Sequence, residues 1–186
     1  MRLALMFLGL LSLAAGPARA ADAWDALRDQ AIGLMRHGGA VLGQQGEVPP
    51  VPGCVPSAVL TEIGREEMRR FGERMRSEGI PAARVFVSRQ CSAWETAVLL
   101  GLGPVQHDPA LDPPGPGERE GRRDVLERAV MAAAALREQS RMPVILITHR
   151  LNIQELTGIE LTQGEILVLR PLQSSGLALV GRVRSD

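Results

Sequence analysis

Lysine and tyrosine are both absent from this 186-residue chain, and aromatic residues make up only 3% of it. Without tyrosine, no phenol is available for catalysis. All 21 basic residues are arginine, a bias that genomic base composition accounts for without a functional role. They are matched by 21 acidic residues, so the formal net charge is zero. That balance argues against a nucleic-acid partner, whose recognition begins with a basic excess. Cysteine occurs only twice, at Cys54 and Cys91. A long uncharged apolar run occurs only near the start of the chain.

That run spans residues 3–16, follows Arg2, and leads to the small-x-small sequence Ala18-Arg19-Ala20. The pattern predicts a secretory signal peptide over residues 1–20, too short and wrongly flanked for a stable membrane span. The alternative is an uncleaved N-terminal anchor. With Arg2 and Arg19 gone, 19 basic and 21 acidic residues remain, a balance of −2. The expected mature protein is one domain over residues 21–186, secreted into the periplasm, with no stable membrane span after cleavage. In that oxidising compartment two cysteines can pair. A Cys54–Cys91 bridge would close a loop of about 37 residues, worth about 4 kcal/mol on the chain-entropy model. The alternative is two buried thiols.

The rest of the chain alternates strand and helix signals. Residues 24–28 suggest a short leading helix. Ala31-Ile32-Gly33-Leu34-Met35 is a short apolar run that reads as a buried strand. Residues 38–56 are rich in glycine and proline and read as irregular loop. Thr61 is a candidate N-cap with Glu62 in the first turn, and Ile63, Met68, Phe71 and Met75 keep near-helical spacing up to Gly79-Ile80-Pro81. Residues 84–87 read as a strand and 91–100 as a helix. Residues 101–121 are the least ordered by composition, since Pro113-Pro114-Gly115-Pro116-Gly117 excludes helix and central strand. A helix over 122–139 would turn Val125, Leu126, Ala129, Val130, Ala133 and Leu136 inward. A strand over 144–148, a short helix over 152–157, and strands over 165–170 and 177–184 follow. This alternation predicts an α/β three-layer sandwich with a mainly parallel central sheet.

Three of these strands end in residues with chemistry: Arg36-His37, Ser88 and Thr148-His149. Open α/β sheets bind ligands outside the carboxyl ends of their strands. Histidine can act as a nucleophile near neutral pH, and arginine grips phosphate oxygens with a planar fork. The helix after His149 would aim its N-terminus at the same cleft, which favours an anion. Two histidines, an arginine and a helix dipole make a phosphate pocket. His107, in a proline-flanked loop, reads as merely solvated, and Trp94 as a packing anchor.

The order of these motifs resembles the histidine phosphatase superfamily, the clan of phosphoglycerate mutases and acid phosphatases. It rests on Arg36-His37-Gly38, then Leu60-Thr61-Glu62-Ile63-Gly64, then Ser88 through Thr96-Ala97, then Thr148-His149 with Asn152, and Glu165 with the late strand pair. It is most similar to the small exported members, which often carry cysteines at the two places seen here. The resemblance implies a phosphoglycerate mutase-like fold and hydrolysis of a small phosphorylated substrate through a phosphohistidine on His37. It implies that Arg36, His149 and Asn152 hold the phosphate, and that no cofactor is needed. No cluster of metal-ligand spacing is evident either.

The chain also departs from the family pattern. Where the family reads Ser-x-x-x-Arg-Ala-x-x-Thr-Ala, this chain reads Ser88-Arg89-Gln90-Cys91-Ser92-Ala93-Trp94-Glu95-Thr96-Ala97. Ser92 thus stands in place of a pocket arginine. Arg89 lies three residues earlier, a spacing that can place it on the same side of a helical turn, and it is a candidate stand-in; Arg150, directly after His149, is another. Exported members often have an arginine four residues after the first cysteine, where this chain has Ala58. Glu118 and Glu120, with Asp112, lie where a general acid would be sought, in no recognisable motif. The alternative these gaps imply is a phosphatase-like domain that binds a phosphorylated ligand with weak or no turnover.

Overall fold

The central strands are buried residue after residue, on both faces, so each side of the sheet needs its own layer of helices. A computed structural model describes residues 20–29, 31–43, 51–115, 117–118, 120–172 and 176–185. The expected leader, apart from its last residue, lies outside the described residues. In β1 (Ile32–Arg36) and β6 (Val144–Thr148), Met35, Ile145 and Ile147 face one core, while Ile32, Leu34, Val144 and Leu146 face the other. The first core is closed by α1 (Ala20–Asp29), α2 (Glu62–Ser77) and α3 (Cys91–Leu100). The second is closed by α4 (Arg122–Ser140) and α5 (Arg150–Thr157). The result is the expected α/β three-layer sandwich.

The remaining strands of the main sheet are β4 (Arg84–Val87), β5 (Val105–His107), β7 (Ile166–Pro171) and β8 (Leu177–Val183). Their order is β5-β4-β6-β1-β7-β8. The β5-β4, β4-β6 and β6-β1 pairs are parallel; β1-β7 and β7-β8 are antiparallel. The sheet is therefore mixed but mainly parallel.

Thr61 caps α2, its Oγ1 accepting from Gly64 N at 3.0 Å. Met68, Phe71 and Met75 are buried at helical spacing, but Ile63 is 72% exposed. Five positions before Met68, Ile63 falls outside the apolar stripe. Two glycines let α2 approach its neighbours: a Cβ at Gly64 would lie 2.2 Å from Gly39 O, and one at Gly72 would lie 2.2 Å from Leu100 O. In α4 the buried set is Leu126, Val130, Ala133 and Arg137. Arg137 takes the innermost place in the last turn, where its guanidinium donates to Arg28 O, and Leu136 is only half-buried.

Both segments read as loop contain short strands. β2 (Ala40–Leu42) pairs antiparallel with β3 (Ala58–Leu60) just beyond β1, and residues 44–50 lie outside the described set. Within residues 101–121, β5 adds to the sheet edge and residues Pro109–Leu111 form a single 3₁₀ turn. Cys54 and Cys91 form a disulfide, with an S–S distance of 1.99 Å, so the two-thiol alternative does not hold. It ties the segment after residue 51 to the first residue of α3. Val55 N donates to Arg89 O at 2.8 Å and Cys91 N to Val55 O at 2.9 Å, reinforcing the same junction.

Candidate active site

The parallel register brings three strand ends together. Arg36 pairs with Thr148 and Val87 with Ile147, so the next residues, His37, Ser88 and His149, emerge side by side. His37 N donates to Thr148 O at 3.2 Å and Ser88 N to Ile147 O at 3.1 Å, carrying the ladder to the site. The turn before β7 closes the opposite side. Gly164 N donates to both Arg36 O and His37 O, at 3.1 and 3.0 Å. Glu165, fully buried, holds that turn by accepting from Thr162 N and Thr162 Oγ1 at 3.0 and 3.1 Å.

His37 and His149 are 7% and 8% exposed, with ring centroids 5.2 Å apart. His37 Nδ1 lies 2.9 Å from Gly38 O. A carbonyl can only accept, so Nδ1 carries the proton and Nε2 of the neutral ring keeps its lone pair. Gly38 is fixed in turn by Thr96: Gly38 N donates to Thr96 Oγ1 at 2.9 Å, and that hydroxyl donates to Ser92 O at 2.7 Å. His149 Nε2 is hydrogen-bonded to Ser88 Oγ at 2.8 Å. Burial lowers the pKa of His37, assisted by the Arg36 charge and opposed by the Gly38 carbonyl. Burial likewise depresses His149, to about 3, with further lowering from His37, Arg36 and Arg122 against Asp112. Both rings are neutral at pH 7.

Arg36 Nη1 donates to Leu161 O at 2.7 Å, while its buried Nε has no partner among the described residues. Burial and the neighbouring Arg150 both lower its pKa, though it stays charged at neutral pH. Arg36, His37, Ser88 and His149 thus share one edge. The other expected residues are arranged differently. Asn152 is buried, and its side chain is spent on the scaffold. It donates to Leu111 O, Asp112 O and Thr148 Oγ1 at 3.0, 2.9 and 2.8 Å, and accepts from Arg122 Nε at 3.0 Å. Arg89 is 63% exposed and paired with Asp112 Oδ2 at 3.1 Å. Ser92 is fully buried, and its Oγ has no partner among the described residues.

Glu118 is exposed and accepts from Gly115 N at 2.9 Å; Glu120 is exposed too. His107 is not merely solvated, since its Nε2 lies 3.2 Å from Asp112 Oδ1. Asp112 also accepts from Arg89 N at 2.7 Å, so one carboxylate ties β5 to the loop after β4. The sequence motifs do not single out Arg122. Its guanidinium bridges Asn152 Oδ1, Ala110 O at 2.8 Å and Asp112 O.

No protein-family model matches the sequence, and no curated protein does. Solved structures do match. The protein histidine phosphatase SixA, complexed with tungstate, aligns over 84% of this chain and 97% of its own, at 18% identity and a TM-score of 0.60. A mycobacterial glucosyl-3-phosphoglycerate phosphatase, solved with inorganic phosphate, covers 84% of this chain and 98% of its own, at 19% identity and a TM-score of 0.57. Bacillus stearothermophilus YhfR covers 82% and 96%, at 18% identity and a TM-score of 0.56. The chain therefore has the fold of the histidine phosphatase superfamily, over most of its length.

Proposed function

We propose that this chain is a phosphomonoesterase that works through a phosphohistidine on His37. The observation that carries the reading is the hydrogen bond from His37 Nδ1 to Gly38 O, beside His149. It leaves Nε2 unprotonated, with the lone pair a nucleophile needs. Nε2 attacks phosphorus and forms the N–P bond as the P–O ester bond breaks. The leaving oxygen takes a proton, for which Glu118 and Glu120 are the candidate acids. A water then attacks the phosphohistidine, releasing phosphate and restoring His37.

Arg36 supplies the permanent positive charge beside the nucleophile. Its partnerless Nε and unspent Nη2 suit it to phosphoryl oxygens. A dianionic phosphate next to His149 raises that ring's proton affinity, so it can donate to an equatorial oxygen. Phosphoryl transfer demands mainly such positioning and charge. The substrate class is a small phosphate ester. The apolar leader and the disulfide support export of residues 21–186 to the periplasm, the setting in which such a bridge persists.

Purified mature protein should hydrolyse an aryl phosphate, and His37→Ala should abolish turnover. Activity that survives in His37→Ala would sink the mechanism. The buried Ser92, whose Oγ has no partner among the described residues, favours one second reading, a domain that binds a phosphorylated ligand and turns it over slowly or not at all. Orthovanadate binding without measurable hydrolysis is its signature.

A further inference from the structure

The pocket as described is short of positive charge. A phosphomonoester brings about two negative charges, and its transfer spreads them over three equatorial oxygens. Against this stand two neutral histidines and one guanidinium, Arg36, which has already given one arm to Leu161 O. The other arginines near the strand ends are committed elsewhere. Arg89 reaches outward to Asp112, and Arg150 to Glu160 at 3.1 Å. Ser92 brings no charge.

Arg122 differs from them. It opens α4, directly after the loop that packs on the β6 end. Its Nε and Nη2 are clamped by Asn152 Oδ1 and by the carbonyls of Ala110 and Asp112. Asn152 lies in the first turn of α5, three residues after His149, and it also bonds Thr148 Oγ1. The guanidinium is thus held against the frame of the catalytic edge. Its Nη1 makes no hydrogen bond to any described residue and so stays available. Arg122 also borders a cavity of about 280 Å³ with Pro114, Leu151, Gln154 and Glu155. Its charge is felt at His149, where it opposes protonation.

We propose that Arg122 is the second phosphate-binding cation of this site, supplying from the α4 side the charge that position 92 lacks. This deepens the phosphatase reading and rests on it. The three bonds to the scaffold hold the guanidinium in place before a ligand arrives, so little side-chain entropy is lost on binding.

The test uses the mature protein, orthovanadate binding by calorimetry, and turnover of an aryl phosphate. Arg122→Gln keeps an amide donor for the scaffold but removes the charge. It should weaken vanadate binding at least tenfold and lower kcat roughly a hundredfold, the scale of losing one oxyanion donor. Arg122→Lys keeps the charge but loses the fork that fixes it, and should bind vanadate more tightly than Arg122→Gln and less tightly than wild type. Arg89→Gln should leave vanadate affinity unchanged. An Arg122→Gln protein that binds vanadate as tightly as an active wild type overturns the proposal and leaves the phosphatase reading intact. If Arg122→Gln fails to fold, Arg122→Met, which also removes the charge, takes its place: a folded Arg122→Met protein that binds vanadate as tightly as wild type overturns the proposal. A wild type that neither binds vanadate nor turns over the ester removes the phosphatase reading and this proposal together.

Discussion

Opening the Cys54–Cys91 disulfide should cost this domain more than any single surface contact. The bridge spans a sequence separation of 37. On the chain-entropy model, a closed loop of about that length stabilises the fold by about 4 kcal/mol, by restricting the unfolded chain. A domain of this size shifts its Tm by about 2–4 °C per kcal/mol, so the expected loss is about 8–16 °C. Both sulfurs are buried, Cys91 completely, so reductant alone will act slowly on the native state. The protein is therefore to be unfolded in guanidinium with reductant, refolded in reductant and checked by thiol titration. Thermal and urea melts of the two forms are then compared by circular dichroism. Because the bridge acts on the unfolded state, reduction should also raise the urea m-value, as the freed chain exposes more surface. A Tm within about 2 °C of the oxidised form refutes the argument. A fall in Tm with no change in m would place the effect in the folded state instead.

Stability should also fall on acidification. His37 and His149 both have lowered pKa values, His149 to about 3, against an ordinary 6.5. Between those values the unfolded chain binds protons that the folded chain refuses. Stability is thus full above about pH 6.5; His149 alone costs at most about 1.4 kcal/mol per pH unit down towards pH 3, and His37 adds a loss of the same sign. Urea midpoints at pH 7.5, 5.5 and 4.5 should decrease in that order, and His149→Gln should flatten the slope; an unchanged midpoint at pH 5.5 contradicts the burial argument. Gly72→Ala places a Cβ 2.2 Å from Leu100 O. Helix propensity alone would make this change stabilising by about 1 kcal/mol, so a net loss of about 1–3 kcal/mol is a clean sign of the close approach. A Tm at or above wild type would show that α2 and α3 do not meet there.

Much of the scaffold was legible because its periodicity is long. Met68, Phe71 and Met75 mark α2, and the Val144 run marks a strand buried on both faces. The parallel ends at residues 36, 88 and 148 followed from that alternation. Three-residue strands left no such trace. β2 and β5 lie among glycines and prolines, and only pairing with β3 and β4 makes them strands. The site was legible where chemistry sits at a strand end, as at His37 and His149. It was hidden where a contact joins distant segments. The Arg122 fork needs carbonyls at residues 110 and 112 and the amide at residue 152 in one place, which no local spacing announces. Asn152 carried the opposite lesson: its position matched a motif, yet its hydrogen bonds hold the frame together.

The strand order has a consequence for how the molecule assembles. β6 lies between β4 and β1, yet it comes after both in the chain. Until residues 144–148 insert, β1 has neither sheet partner, since β7 comes later still. A nascent chain can therefore close its first helices and the Cys54–Cys91 loop while His37 remains on an unpaired strand. His37 and His149 meet only when the last parallel gap is filled. Assembly of the His37–His149 edge is then a late event in folding, and on the proposed reading the onset of activity would time the insertion of the central strand.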